Sequence, residues 1–496
     1  MLTNGMKDWV NSNSGNTNKN FINGEWVESV NGKTSILYES GNPSNKLGEF
    51  PYSTEEDVNK AVKAADEAFK QWRREPLSNR ASLLYRFSDL LEKNQEELAY
   101  IISAEQGKTL GESRGEVRRA AIEAKFTAGE VFRLEGTTFP SEDSNVHSEV
   151  RRYPIGVISA ISPWNFPVVT PVRKLSPAIA YGCTVVLKPA SATPWTSVKL
   201  VQLLEEAGLP KGVVNLIIGS GNKTGDRLVD HPLVKGISFT GSTNLGVRIN
   251  EKAASKLIRT QLELGGKNPA IVLDYENLRE AAQQIVSAAF TTSGQRCTAL
   301  SRVIVLKDQS HDLTNEIIDE MKKIKVGPPW NEDATMGPLV NRQHYETVQE
   351  YINFGKQEGA KLTATEGEFL YEQGEGGYYI RPILFTKVTK NMKIAQEEIF
   401  GPVLVMLEVE DKEEAIELAN STNYGLAASV FTDQLSLGHE FIDRIQAGMV
   451  HINHGTASQP HIPFGGTKDS GFGAFSIGHS NQEFFTEMRT SYTKYK

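Results

Sequence analysis

The sequence predicts an α/β protein built on mostly parallel sheets, and three observations carry the prediction. From about residue 150, short apolar strands (TVVLKP, VVNLIIG, GISFTG, PAIVLD) alternate with amphipathic helices such as TSVKLVQLLEEAG. A second series of the same grammar begins after Asp274. A helix-rich segment precedes both, from Ser53 to about Gly136. Strand, helix, strand order makes neighbouring strands parallel and covers both faces of the sheet with helices. Ligands of such sheets bind beyond the carboxyl ends of the strands.

The elements follow in chain order. The Asn/Ser-rich start, MLTNGMKDWVNSNSGNTNKN, reads as a frayed tail without chemistry. EEDVNKAVKAADEAFKQW and SNRASLLYRFSDLLEKNQEELAYIISAEQG place apolar residues three and four apart and read as helices. HSEVRRYPIGVISAISP alternates like a strand. After Asp274 come a helix through QQIVSAAFTTSG, a strand RVIVL, a helix DLTNEIIDEMKKI, and a run from PVLVMLEV through EEAIELAN to ASVFT. TEGEFLYEQGEGG reads as an exposed loop and TSYTKY as a short strand-like tail. There is no internal repeat and no heptad pattern.

Composition excludes several functions. The 496 residues suggest about three domains, or two large ones with something smaller. With 39% hydrophobic and 23% charged residues, the chain has an ordinary globular composition. Its net charge of −8, spread without a basic block, speaks against nucleic acid and anionic membranes as partners. Two cysteines make neither a disulfide framework nor a zinc site, so a reducing compartment is expected. The start lacks the apolar stretch of a signal peptide, and no run approaches the ~18 apolar residues of a membrane span. The expectation is a cytoplasmic protein.

Candidate chemistry sits in the turns between elements. Gly294-Gln295-Arg296-Cys297 ends an apolar helical stretch, where a turn would expose a thiol; a buried, inert cysteine is the other reading. Cys183, inside YGCTVVL, is a core residue. In Leu262-Glu263-Leu264-Gly265-Gly266-Lys267, the paired glycines let backbone approach a ligand beside a carboxylate that could equally be a surface charge. Ser162-Pro163-Trp164-Asn165-Phe166-Pro167 fixes a turn whose Asn165 amide either ties the turn or donates to an oxyanion. Lys188 ends a strand, where it could reach ribose or phosphate. Gly241-Ser242-Thr243-Asn244-Leu245-Gly246 joins a strand to a helix N-terminus that could receive phosphate.

Taken jointly, PWNFP at 163–167, KP at 188–189, FTGS at 239–242, LELGGKNP at 262–269, GQRC at 294–297, EEIFGPV at 397–403 and PFGG at 463–466 resemble the aldehyde dehydrogenase superfamily over essentially the whole chain. The resemblance implies the aldehyde dehydrogenase fold. A Rossmann-like cofactor domain would cover 1–139 and 159–270, an α/β catalytic domain 271–475, and a small β oligomerisation flap 140–158 with 476–496. It implies Cys297 as nucleophile, Glu263 as general base and Asn165 as oxyanion donor. Trp164, Lys188, Ser191, Gly241, Ser242, Leu264, Glu398 and Phe400 become contacts of NAD or NADP. Relatives that transfer the acyl group to coenzyme A typically lack the glutamate, so Glu263 favours water as acceptor. A homodimer or homotetramer acting on a small-molecule aldehyde is expected, with no metal.

Two positions refine the expectation. NAD-restricted relatives often carry glutamate three residues after the lysine; Ser191 stands there and removes its repulsion of a 2′-phosphate, so use of NADP as well is expected. Arg173 stands where semialdehyde-acid dehydrogenases often have arginine, either holding a substrate carboxylate or forming a structural ion pair. Gly448–Ser458 and Gly473–Gly478 are similar to the branch that oxidises 2-oxoglutarate semialdehyde, whereas Thr291 replaces a second arginine common in succinic semialdehyde enzymes. His451 and His454 lack a third ligand and read as loop or core.

Overall fold

A computed structural model describes residues 4–370 and 376–495. Two large sheets dominate it. In the first, the strands Val214–Leu216, Thr184–Lys188, Val157–Ile161, Val234–Thr240 and Arg259–Glu263 lie side by side in that order, all parallel. Numbered along the chain, this order is 3-2-1-4-5, so the winding reverses between Val157–Ile161 and Val234–Thr240. That reversal opens a crevice at the carboxyl ends of these two strands. Antiparallel strands finish the sheet: Asn20–Ile22 and Glu25–Val27 at one side, Gly471–Phe472 at the other.

The second sheet runs Lys361–Thr365, Ile383–Thr386, Val403–Val409, Leu300–Leu306, Asn268–Val272, Ala427–Phe431, Met449–Ile452, parallel except for the first strand. Arg259–Glu263 passes into Asn268–Val272 through Leu264–Lys267 alone. The carboxyl end of the first sheet is thereby tied to the amino end of the second. A third, antiparallel sheet sets Thr486–Lys494 and Thr137–Phe139 on either side of Val146–Pro154.

The helical layer follows the pattern in the sequence, with one added break. Glu55–Trp72 starts on Thr54 with an Asp57 capping box. The next segment divides into Leu77–Lys93 and Gln95–Gln106 at Asn94, whose backbone leaves the helical region. The helix Leu110–Glu130 packs against Leu77–Lys93, Gln95–Gln106 and Val169–Tyr181.

Several expectations need correction. Residues 1–3 of the amino-terminal segment lie outside the described residues, but the part that follows is not frayed: Asn4–Asn13 is a helix, with Met6 and Val10 buried one turn apart and Trp9 stacked on Trp195. HSEVRRYPIGVISAISP is two strands in different sheets, broken at Gly156, where φ is +131°. The helix over QQIVSAAFTTSG stops at Phe290 and gives way to a tight turn. Of TEGEFLYEQGEGG, Glu368–Phe369 is a strand paired with Lys325–Val326, and 371–375 lie outside the described residues. Thr137–Phe139 belongs to the small sheet, and Val157, Ile158 and Gly471–Phe472 belong to the first large sheet. No helix among the described residues is long and apolar enough to cross a membrane.

Candidate active site

A cavity of about 390 Å³ opens where the first sheet's carboxyl ends meet the second sheet's amino ends. Trp164, Asn165, Arg173, Gly241, Ser242, Glu263, Leu264, Cys297, Glu398 and Phe400 all line it. Each position follows from the fold. Trp164 and Asn165 lie in the turn after Val157–Ile161, Gly241 and Ser242 in the turn after Val234–Thr240, and Glu263 ends the edge strand of the parallel set. Cys297 lies in the turn that leads into Leu300–Leu306. Lys188 and Ser191 do not line this cavity; they sit at the carboxyl end of the neighbouring strand Thr184–Lys188.

Cys297 is half-buried and unpaired, and Cys183 lies in the core as expected. The turn leading to Cys297 is bent by Thr292 and Ser293, both at positive φ. Asn268 Nδ2 donates to the Cys297 carbonyl at 2.7 Å and to that of Ala299 at 2.9 Å. Burial, with Glu263 and Glu398 nearby, pushes the thiol up to about 12, against the pull of Arg173 and Arg296. The resting group is therefore a neutral thiol. Asn165 Nδ2 spends one hydrogen on the Gln295 carbonyl at 3.0 Å, which aims the amide at the turn carrying Cys297 and leaves its second hydrogen for a ligand.

Glu263 is pushed up to about 7, chiefly by burial. Its Oε1 accepts from Ser476 Oγ at 3.0 Å, while Oε2 is buried without a partner among the described residues. Glu398 Oε1 accepts from Gly266 N at 2.8 Å, and burial holds this carboxyl up at about 7. A Cβ on Gly265 would run into Glu398 Oε2, and one on Gly266 would come within 2.7 Å of the Cys297 carbonyl. The glycine pair is what lets these groups close on one another. Phe400 has φ +59°, its carbonyl bonds the His344 ring at 2.8 Å, and its ring meets Trp164 edge-on at 5.3 Å.

Arg173 makes a two-point ion pair with Glu123, Nη2 to Oε1 at 2.8 Å and Nε to Oε2 at 3.1 Å. Glu123 also holds Arg119 at 2.6 Å, and both arginines line the cavity. The structural ion pair thus exists, and its net charge of one positive unit still faces the cavity. Ser191 Oγ donates to the Gly219 carbonyl at 3.2 Å. His451 and His454 stack at 5.4 Å, and no metal-ligand group of three occurs among the described residues.

The sequence reading missed the residues that hold this site. Three glutamates of Leu110–Glu130 each secure a different piece. Glu112 accepts from Thr292 N at 2.6 Å, ahead of Cys297. Glu116 accepts from Val168 N at 2.8 Å and Val169 N at 3.0 Å, and pairs at 2.5 Å with Lys108, whose Nζ also donates to the Asn165 carbonyl at 2.6 Å. Glu123 holds the arginines. Spacings of four and seven residues place all three on one helix face, the one available signal. Lys174, also missed, is buried with Nζ 2.9 Å from both Ser238 Oγ and Thr240 Oγ1.

The profile of the "Aldehyde dehydrogenase family" matches residues 26–491. The chain belongs to the aldehyde dehydrogenase family. It is accordingly an oxidoreductase acting on aldehydes, with the aldehyde dehydrogenase fold. Among its relatives, the alpha-ketoglutaric semialdehyde dehydrogenase of Bacillus subtilis (strain 168) is 41% identical over 97% of this chain and 98% of its own. A protein named malonate-semialdehyde dehydrogenase 2 from Bacillus anthracis is 40% identical over 95% and 96%. The crystal structure of betaine aldehyde dehydrogenase from Staphylococcus aureus in complex with NAD+ superposes with a TM-score of 0.94, at 31% identity over 99% of this aldehyde dehydrogenase and 97% of that chain.

Proposed function

We propose that this aldehyde dehydrogenase oxidises a semialdehyde acid, 2-oxoglutarate semialdehyde (2,5-dioxopentanoate) first among candidates, to the free acid with NAD or NADP. The observation that carries the reading is a single cavity in which Cys297, Glu263 and Asn165 share space with two arginines whose joint counter-ion is one glutamate. Names of relatives that act on carboxylated semialdehydes support the substrate class.

The cofactor fits the residues present. Ser242 stands at the start of the helix Thr243–Ala254 without capping it, leaving the first N–H groups for a phosphate. Lys188 Nζ donates to the Pro189 carbonyl at 3.0 Å and to no other described residue, and Ser191 is three positions on. Gly241, Leu264, Trp164, Glu398 and Phe400 are assigned the nicotinamide half. When bound, the oxidised ring supplies the acceptor for the aldehyde's hydride.

The chain's own residues do the rest. Cys297 gives up its thiol proton to solvent water as its sulfur bonds to the aldehyde carbon, and the negative charge on the former carbonyl oxygen is met by the free Asn165 N–H and the Cys297 backbone N–H. Loss of hydride leaves a thioester. Glu263 then takes a proton from water, whose oxygen attacks the thioester carbon and releases the acid and the thiol. Arg173 and Arg119 hold the substrate's far carboxylate. We assign the two large sheets to cofactor and catalytic domains, and the small sheet, with Phe139, Met488 and Tyr492 exposed, to assembly as a homodimer or homotetramer.

A panel of 2-oxoglutarate, malonic and succinic semialdehydes with neutral aldehydes of equal length, each with NAD and NADP, tests the reading by nicotinamide absorbance. Highest kcat/KM for the carboxylated aldehydes is expected; equal values for neutral ones would remove the substrate class. In Glu263→Gln, one reduced cofactor per site should appear before turnover stalls.

A further inference from the structure

Glu263 Oε1 meets a serine downstream of the PFGG motif, whose backbone N–H also donates to it at 3.4 Å. Ser476 is buried, and its Oγ lies 3.0 Å from Glu263 Oε1 and 3.2 Å from the Phe464 carbonyl. One hydroxyl hydrogen therefore has two acceptors. The oxygen itself is fixed, because Phe464 and Ser476 exchange backbone hydrogen bonds of 2.8 and 2.9 Å across an isolated antiparallel bridge. The next residue, Ile477, stands at φ +66°, a region costly for a β-branched side chain and held only where the surroundings dictate it. Leu426, Phe464 and Ile477 form a small cluster against which Cys297 packs. The Phe464–Ser476 bridge therefore links that cluster to Glu263.

We propose that Ser476 is a positioning residue for the general base, its hydroxyl donating to Oε1 when Glu263 is ionised and turning to the Phe464 carbonyl when Glu263 has taken its proton. This rests on the reading of Glu263 as the base. It leaves Oε2, which has no partner among the described residues, as the oxygen that addresses water. No bond to carbon is involved; one O–H rotates between two acceptors as the carboxyl gains or loses a proton. The charged groups that face Glu263 from other elements are Arg173 and Lys174 of the helix Val169–Tyr181, both of which favour its ionised form, and the Cys297 thiol. Ser476 adds a neutral donor to that set. A donor to a buried carboxylate stabilises its charged form by enough to move the titration by about one pH unit.

The test uses the full-length enzyme with NAD and its preferred aldehyde, followed by rapid mixing and then in the steady state across neutral and alkaline pH. Ser476→Ala should keep the full burst of reduced cofactor. Its steady-state rate should fall about fivefold at pH 7, approaching about tenfold at lower pH, and recover at alkaline pH, the acid limb moving up from about 7 by about one pH unit. Ser476→Thr, which keeps a hydroxyl, should restore the original profile, and Ser476→Cys, a weaker donor, should fall between and serves if the alanine variant does not fold. A profile unchanged in Ser476→Ala, or a loss equal at every pH, overturns the proposal. Glu263→Gln separates the two ideas: full turnover there overturns both, whereas a stalled burst with an unshifted Ser476→Ala removes the serine alone.

Discussion

The buried pair Lys108–Glu116 gives the sharpest prediction, because its two members do different things. Both side chains are about 1% exposed, and neither touches the cavity. Removing one partner of such a pair costs about 3–5 kcal/mol, since the survivor is left charged in a low-dielectric site. Lys108→Met strands Glu116, but that carboxylate keeps the Val168 and Val169 N–H groups, so the lower end, about 3 kcal/mol, is expected. Glu116→Leu strands Lys108 and orphans both N–H groups at about 1–3 kcal/mol each, so its loss should exceed that of Lys108→Met by about 2 kcal/mol or more. The double variant removes the charge penalty and retains the orphaned amides. It should remain about 2 kcal/mol or more below the original protein.

Urea unfolding measures these differences. The kinetic counterpart is the burst rate, because Lys108 also fixes the Asn165 carbonyl. Deleting an oxyanion donor costs about 10²–10³ in kcat. Lys108→Met displaces Asn165 without deleting it, so its burst should slow by less than that of Asn165→Ala. Full recovery of stability in the double variant would refute the amide-capping role. An unaltered burst in Lys108→Met, with a slowed one in Asn165→Ala, would refute the positioning role.

Four further outcomes are expected. Arg173→Leu should raise KM for carboxylated semialdehydes about tenfold or more over neutral aldehydes of equal length, with some loss of stability because Glu123 keeps only Arg119; a panel of both aldehyde types reads the ratio. Gly265→Ala should weaken cofactor affinity, read by fluorescence titration, with a small change in unfolding midpoint, because its Cβ would displace Glu398 Oε2. Ser191→Glu should raise KM for NADP about tenfold or more over that for NAD, a carboxylate there repelling a 2′-phosphate. The steady-state rate should fall as pH drops through about 7, since burial holds Glu263 there and only the ionised carboxylate takes a proton from water. A limb near the ordinary value of 4.5 would show that Glu263 is not the limiting base.

What could be read from the sequence was local. Asn165 and Cys297 each sit in a short turn marked by Pro or Gly, Glu263 ends the strand that leads into a Gly-Gly turn, and a strand's end is a place where side chains are free to face a ligand. What could not be read depended on partners far along the chain. The amino-terminal segment shows few apolar residues, and Met6 and Val10 acquire meaning only through the surface they cover. The small sheet pairs residues near 150 with residues near 490, a register that no local pattern encodes. Ser476 is a small polar residue among glycines, and nothing in its neighbours names a carboxylate 213 positions away.

The helix Leu110–Glu130 shows why the supporting residues stay hidden while the reacting ones do not. Its charged residues read as a solvated surface, because a sequence pattern distinguishes apolar from polar and says nothing about which charges find partners. Yet a buried carboxylate is tolerated only where donors meet it, and the buried Glu116 and Glu123, like the partly buried Glu112, find theirs on segments that are strangers in sequence. A helix rises about 1.5 Å per residue, so Glu112 and Glu123 stand roughly 16 Å apart on a rigid rod. Through those two carboxylates the helix joins the turn that leads to Cys297 to the arginine at the cavity wall, although neither carboxylate lines the cavity itself.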